Sequence, residues 1–315
     1  MIQEKDFDQL GKSVEANGLL PAGLWATLGR GSDGIGITGH KKYGSDTITY
    51  SFDVEINNNL GIYTLHGYQV KMLHVGELDH KIINGINTAE LEREMANINW
   101  ANALPGLFDK DNRIADIVLQ LSGLLAASDP RGTELSELLG LKYLAGTPLE
   151  GYVNLNQIRK KYETSLFIPL NGNEQDLILG ESIWLLMGHA VSKPILPEGN
   201  KQGMCWMVME HGQISQTPDF DLSGKLSALP FAYPKSLVQQ AEYLVKLSSG
   251  AEISDKFRIN GQLFRARFRA DPLSADILVM DRNRNKLDLN QLKSDPDKLR
   301  DLLGKDQDKR KGLGL

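Results

Sequence analysis

The chain has 315 residues, 41% of them hydrophobic and 24% charged, with a net charge of −5 and one cysteine, Cys205. That length outgrows a single core, the composition excludes wholesale disorder, and a lone thiol excludes an internal disulfide and zinc clusters built on paired CxxC motifs. No apolar run approaches the roughly 18 residues of a membrane helix, and the acidic N-terminus lacks the basic-then-apolar order of a signal peptide, so a cytoplasmic protein without membrane contact is expected.

In chain order, EKDFDQLGKSVEANG places Phe7, Leu10 and Val14 at helical spacing and stops at Gly18, which predicts a first helix. The next stretch, GRGSDGIG from Gly29 to Gly36, contains GxGxxG. The residues after it, ITGHKKYGSDTITYSF, read as turn and strand, so no helix N-terminus is on hand to hold a phosphate and a surface loop without nucleotide is expected. From Asp46 the period becomes two, with Ile48, Tyr50, Phe52, Val54 and Ile56 on one face, and IYTLHGYQVKML after the turn INNNLG is its partner strand.

Helix dominates from Asn87. Asn87 and Glu90 form a potential capping box before LEREMANINW; NRIADIVLQLSGLLAAS and TELSELLGLKYL come next, broken by DPRG, and NLNQIRKKYE adds a short helix before the strand SLFIPL. Beyond lie a buried helix in LILGESIWLLMGHAV, a strand in MCWMVME, a helix in PKSLVQQAEYLVKLSSG, a hairpin in KFRINGQLFRARFRA turning at Asn260 and Gly261, and a strand in ADILVMD. The predicted class is α+β: an N-terminal sheet domain at 1–86, a helical middle at 87–163, a C-terminal α+β domain at 164–283 and a flexible basic tail at 284–315.

LGESIWLLMGHAVSK, CWMVME, SLVQQAEYLVKL and RADPLSADILVMDRNRNKL together resemble domains from a family of uncharacterised bacterial proteins often carried on conjugative and other mobile elements. Gly188, His189, Ala190 and Val191 match its GRAV-like signature, with His189 in place of the usual arginine; Ala270, Asp271 and Pro272 match a later segment. The stretch from Phe7 to Leu73 is similar to a domain that often precedes it. The resemblance implies a mobile-element setting and supplies no catalytic residues.

Candidate chemistry is sparse. His74, Glu77 and His80 in HVGELDH are metal-ligand types, but their spacing converges only on a helix, and a polar loop is the expectation there. Ser32 misses a nucleophile elbow because Arg30 stands where glycine is needed, and Cys205 lies in an apolar strand where a thiol is poorly ionised. No catalytic residue, metal ligand or cofactor is assigned. The chain from Met1 to Ser254 carries 20 Lys and Arg against 30 Asp and Glu, while Asp255 to Leu315 carries 15 against 10. Strand alternation in LFRARFRA sets Arg265, Arg267 and Arg269 on one face opposite Phe264, Ala266 and Phe268, with Arg258 on the partner strand. These four arginines, with Lys309, Arg310 and Lys311 in the tail, form the candidate polyanion-binding set, unless the charge only keeps an exposed sheet edge soluble. A non-enzymatic binding or accessory module is therefore expected, with nucleic acid or a protein as partner. The alternative is an enzyme whose pocket is assembled from distant residues.

Overall fold

The computed structural model describes residues 2–4, 7–16, 18, 29–30, 36–43, 46–57, 60–76, 78–103, 113–145, 147–150, 155–171, 175–195 and 203–300. The fold is α+β. Its elements are β1 (Ile2–Glu4), α1 (Phe7–Ala16), β2 (Gly29–Arg30), β3 (Gly36–Tyr43), β4 (Asp46–Asn57), β5 (Ile62–Leu73), β6 (Ile82–Ile83), β7 (Ile86–Asn87), α2 (Thr88–Ala96), α3 (Arg113–Leu125), α4 (Pro130–Tyr143) and α5 (Leu155–Tyr162). They continue as β8 (Glu163–Pro169), α6 (Leu179–Leu186), β9 (Val191–Pro194), β10 (Met204–Glu210), β11 (Gln213–Pro218), α7 (Leu222–Ser227), α8 (Leu237–Ser248), β12 (Ile253–Ile259), β13 (Gln262–Asp271), β14 (Asp276–Met280) and α9 (Leu289–Ser294). One sheet runs β1-β5-β4-β3-β2 with β8 on β5; two others run β11-β10-β9 and β12-β13-β14, and β6 pairs with β7.

The chain divides into two compact units, one of Met1–Ile37, Phe52–Val70 and Leu166–Leu315, the other of Thr38–Ser51 and Lys71–Ser165. The N-terminal stretch expected as a domain of its own thus contributes to both, with the boundaries falling inside strands.

The second unit is mainly helical. Asn87 caps α2 by accepting from the Ala89 and Glu90 N–H groups, and Asp129 caps α4 just before Pro130, the residue type that suits a first helical turn. Glu90 turns to Arg93 at 3.0 Å instead of closing the capping box. Leu91, Met95, Ile117, Leu121, Leu124, Leu135, Leu139 and Leu155 share one core. Gly132 lets α4 come close to α3, since a Cβ there would stand 2.6 Å from the Leu124 carbonyl oxygen.

In the first unit, Trp206, Val208, Leu247, Phe257, Phe264, Phe268 and Val279 share a core. Under α6 lies a fully paired polar network: Lys193 sits 2.6 Å from Glu181 and donates to the Asp176 carbonyl at 2.9 Å, while Glu181 accepts from the Ile178 N–H. Tyr68, buried, donates to the Leu177 carbonyl at 2.6 Å, and burial pushes its phenol far above the ordinary range. Every partner is satisfied, which is what allows a charged pair to be buried at all.

The expectation of a flexible tail from 284 needs correction. Leu292 and Leu299 are buried in this core, with Leu287 and Leu289 packed against it, and α9 is capped by Asp288. Four leucines on so polar a stretch suffice to hold it through Arg300; residues 301–315 lie outside the described residues.

Candidate functional site

The β12–β13 hairpin turns at Asn260 and Gly261, whose φ angles of 50° and 77° are the left-handed pair that a two-residue type I′ turn demands. Counting outwards from the turn, Arg258 faces Leu263, Phe257 faces Phe264, Lys256 faces Arg265 and Ser254 faces Arg267. One face is core. Phe257 and Phe268 meet edge to face at 5.9 Å, and Phe231 and Tyr243 stand 5.7 and 5.8 Å from Phe268. Burying each hairpin phenylalanine is worth about 1.5–3 kcal/mol. That fixes the register, because a slip of one residue would turn the rings outward and the arginines inward.

The other face presents Lys256, Arg258 and Arg265 to solvent. Lys256 and Arg265 are directly opposed, an arrangement that costs stability. Among the described residues neither has a carboxylate partner. The Arg258 guanidinium lies 5.8 Å from the centre of the Tyr233 ring, which is 54% exposed. Arg267 differs: its Nη1 donates to Glu252 at 2.9 Å, and Arg284 approaches the other oxygen of Glu252 at 3.7 Å. Arg269 is half-buried and lines a small cavity, and burial lowers its pKa. Lys309, Arg310 and Lys311 lie outside the described residues.

Edge protection does not explain this face. β13 is the central strand of its sheet. The outer side of β12 is covered by the preceding segment, since the Arg258 N–H donates to the Pro230 carbonyl, the Ala232 N–H to the Lys256 carbonyl, and Phe231 bridges to Phe257. Charge that guards an edge belongs on an edge strand; Arg265 is not on one.

The other candidates are occupied elsewhere. His74 pairs with Asp46 at 2.7 Å and His80 with Glu92 at 2.6 Å, so each imidazole has its own carboxylate; Glu77 lies outside the described residues. No group of three or more metal-ligating side chains occurs among the described residues. Thr88, His80 and Glu92 stand in the order of nucleophile, base and acid, but the fully buried Thr88 hydroxyl donates to the Lys81 carbonyl and accepts from the Lys81 N–H. It is a clamp, closed to any substrate. Cys205 is buried, and burial pushes its thiol up. Of the glycine-rich stretch, Gly29 and Arg30 form β2 and Gly36 opens β3, so the element after the glycines is a strand; Gly31 to Ile35, including Ser32, lie outside the described residues.

Lys256 and Tyr233 are members of the face that the arginine pattern does not reveal. Counting register outward from Asn260 and Gly261 finds Lys256. Tyr233 enters through the covering segment, for which the sequence carries no strand signal.

No family model matches the chain, and no curated protein or solved structure does either.

Proposed function

We propose that the protein is a non-enzymatic binding module that holds an anionic polymer, nucleic acid above all, on the outer face of the β12–β13 hairpin. The observation that carries this reading is the opposed pair Lys256 and Arg265, with Arg258 beside them, on a covered sheet where such charge has no protective task. Repulsion between like charges held by a fixed register is relieved by a bound polyanion, and guanidinium groups match phosphate oxygens in fork geometry. Tyr233, exposed beside Arg258, adds an aromatic surface for a splayed base. The acidic remainder of the chain repels the same polymer and holds affinity down. The mobile-element setting is supported by the resemblance of the C-terminal third, and a cytoplasmic location by the single buried thiol, which suits a reducing compartment. No helix among the described residues is long and apolar enough to cross a membrane.

Fluorescence anisotropy at low salt with single-stranded DNA, duplex DNA and RNA tests the reading. Saturable binding that is lost in a Lys256→Ser, Arg258→Ser, Arg265→Ser variant is the expected result. Binding unaffected by the triple change, or none to any of the three polymers, would overturn it.

A further inference from the structure

Two segments some 80 residues apart meet around a cavity of about 190 Å³: Gly188, His189 and Ala190 after α6, and Arg269 to Leu273 at the end of β13, with Val208, Met209 and Leu278 completing its wall. That volume equals roughly six waters at their liquid share. Its polar groups are few and have fixed roles. His189 is buried, its ring stacked on Trp184 at 4.9 Å, and its Nδ1 lies 2.7 Å from the Gly250 carbonyl oxygen. A carbonyl only accepts, so Nδ1 carries the hydrogen and Nε2 is left as an acceptor. Gly250 is itself required, since it has φ +87° and a Cβ there would stand 2.9 Å from Trp184.

Arg269 supplies the donor. Its guanidinium has no hydrogen-bond or ion-pair partner among the described residues. The nearby Glu252 is engaged by Arg267 and Arg284. Asp271 lines the same cavity, two positions along β13 and thus about 6.6 Å away between Cα atoms on the same face. One Asp271 oxygen accepts from the Ser274 hydroxyl at 2.7 Å. The remaining lining, Ala190, Val208, Met209, Pro272, Leu273 and Leu278, is apolar.

We propose that this cavity binds a small aliphatic α-amino acid, its carboxylate on Arg269, its ammonium shared by Asp271 and the His189 Nε2, and its side chain against Val208, Met209 and Leu278. A zwitterion meets each charged group with its opposite, where a simple carboxylate would leave Asp271 facing it and a simple amine would leave Arg269 unpaired. The site does not depend on the hairpin face, so nucleic-acid binding and this binding succeed or fail separately.

Isothermal titration of the full chain with L-valine, L-valinamide and N-acetyl-L-valine tests it. L-valine saturates, and both derivatives bind at least about tenfold more weakly, because one lacks the carboxylate and the other the ammonium. Arg269→Gln weakens L-valine at least about tenfold and leaves L-valinamide as weak as before; Asp271→Asn does the same with N-acetyl-L-valine as the indifferent ligand. Near-UV circular dichroism reports whether each variant keeps its fold, and the ligand series needs no variant. The proposal is overturned if wild-type protein shows no saturation with L-valine, L-alanine or L-leucine at tens of millimolar. It is equally overturned if N-acetyl-L-valine binds as tightly as L-valine, which would point to a polypeptide C-terminus, or if a folded Arg269→Gln binds L-valine as wild type does.

Discussion

In the helical unit Lys142 and His80 both sit on Glu92, Lys161 sits on Glu137 at 2.7 Å and Arg113 on Glu94 at 2.8 Å, whereas on the β12–β13 hairpin Lys256 faces Arg265 and Arg258 faces an aromatic ring. Although burial works to raise them, the hydrogen bonds from Lys142, Tyr143 and His80 hold the Glu92 carboxyl below its usual range, and those from Lys161 and Tyr162 do the same for Glu137. Charge in the first region is committed to structure. On the hairpin no carboxylate among the described residues answers Lys256, Arg258 or Arg265, and the difference teaches that cation density alone says little until the partner of each cation is known. Arg267, held by Glu252 in the same strand as Arg265, makes the point within one hairpin.

The comparison is sharpened most by a buried base for which burial outweighs the nearby Glu252. Burial, with Arg269 adding to it and the Gly250 hydrogen bond opposing, lowers the His189 pKa to about 4. The unfolded chain then takes up a proton near pH 6.5 that the folded chain refuses until about pH 4. Stability is full above the first value and falls as pH drops from the first to the second, by about 3 kcal/mol. Urea unfolding at several pH values checks this, and His189→Gln flattens the profile in that window.

A smaller effect separates the paired from the unpaired cations directly. Glu92→Gln removes the negative charge that Lys142 and His80 sit on and turns one of the two accepting oxygens into an amide donor, and it costs about 2 kcal/mol, read by chemical denaturation. Arg265→Ser, by contrast, removes a like-charge repulsion, so stability is unchanged or rises by a few tenths of a kcal/mol in the same assay. Equal losses from the two changes would erase the distinction between the regions.

Much of the fold is legible in the sequence because its signals are local. Strand alternation from Ile48, the Asn87 cap and the Asn260–Gly261 turn each depend on neighbours a few residues away, and each sits where the spacing places it. β9, β11 and α7 escape such reading because they are only four to six residues long and carry little pattern of their own; β11 takes its form from the strand it pairs with, as Gln216 does opposite Met207. The anchoring of residues 284–300 escapes it too, because four leucines among polar neighbours look solvated until a core stands beside them. At the site, alternation separates the arginines from the phenylalanines. What alternation cannot show is that Arg267 has Glu252, that Arg269 turns to a cavity with His189, and that Arg258 has Tyr233, since each partner arrives from another segment.

The measurement that bears most directly on the unanswered charge is the salt dependence of nucleic-acid binding by wild type and by the Lys256→Ser, Arg258→Ser, Arg265→Ser variant. Each phosphate contact contributes a slope of about 0.7–0.9 log units of affinity per decade of salt. Three such contacts predict a wild-type slope of about −2 to −3, and a slope near zero, or no detectable binding, in the variant. Slopes that agree between the two proteins would contradict the account and leave the hairpin face as solvated charge.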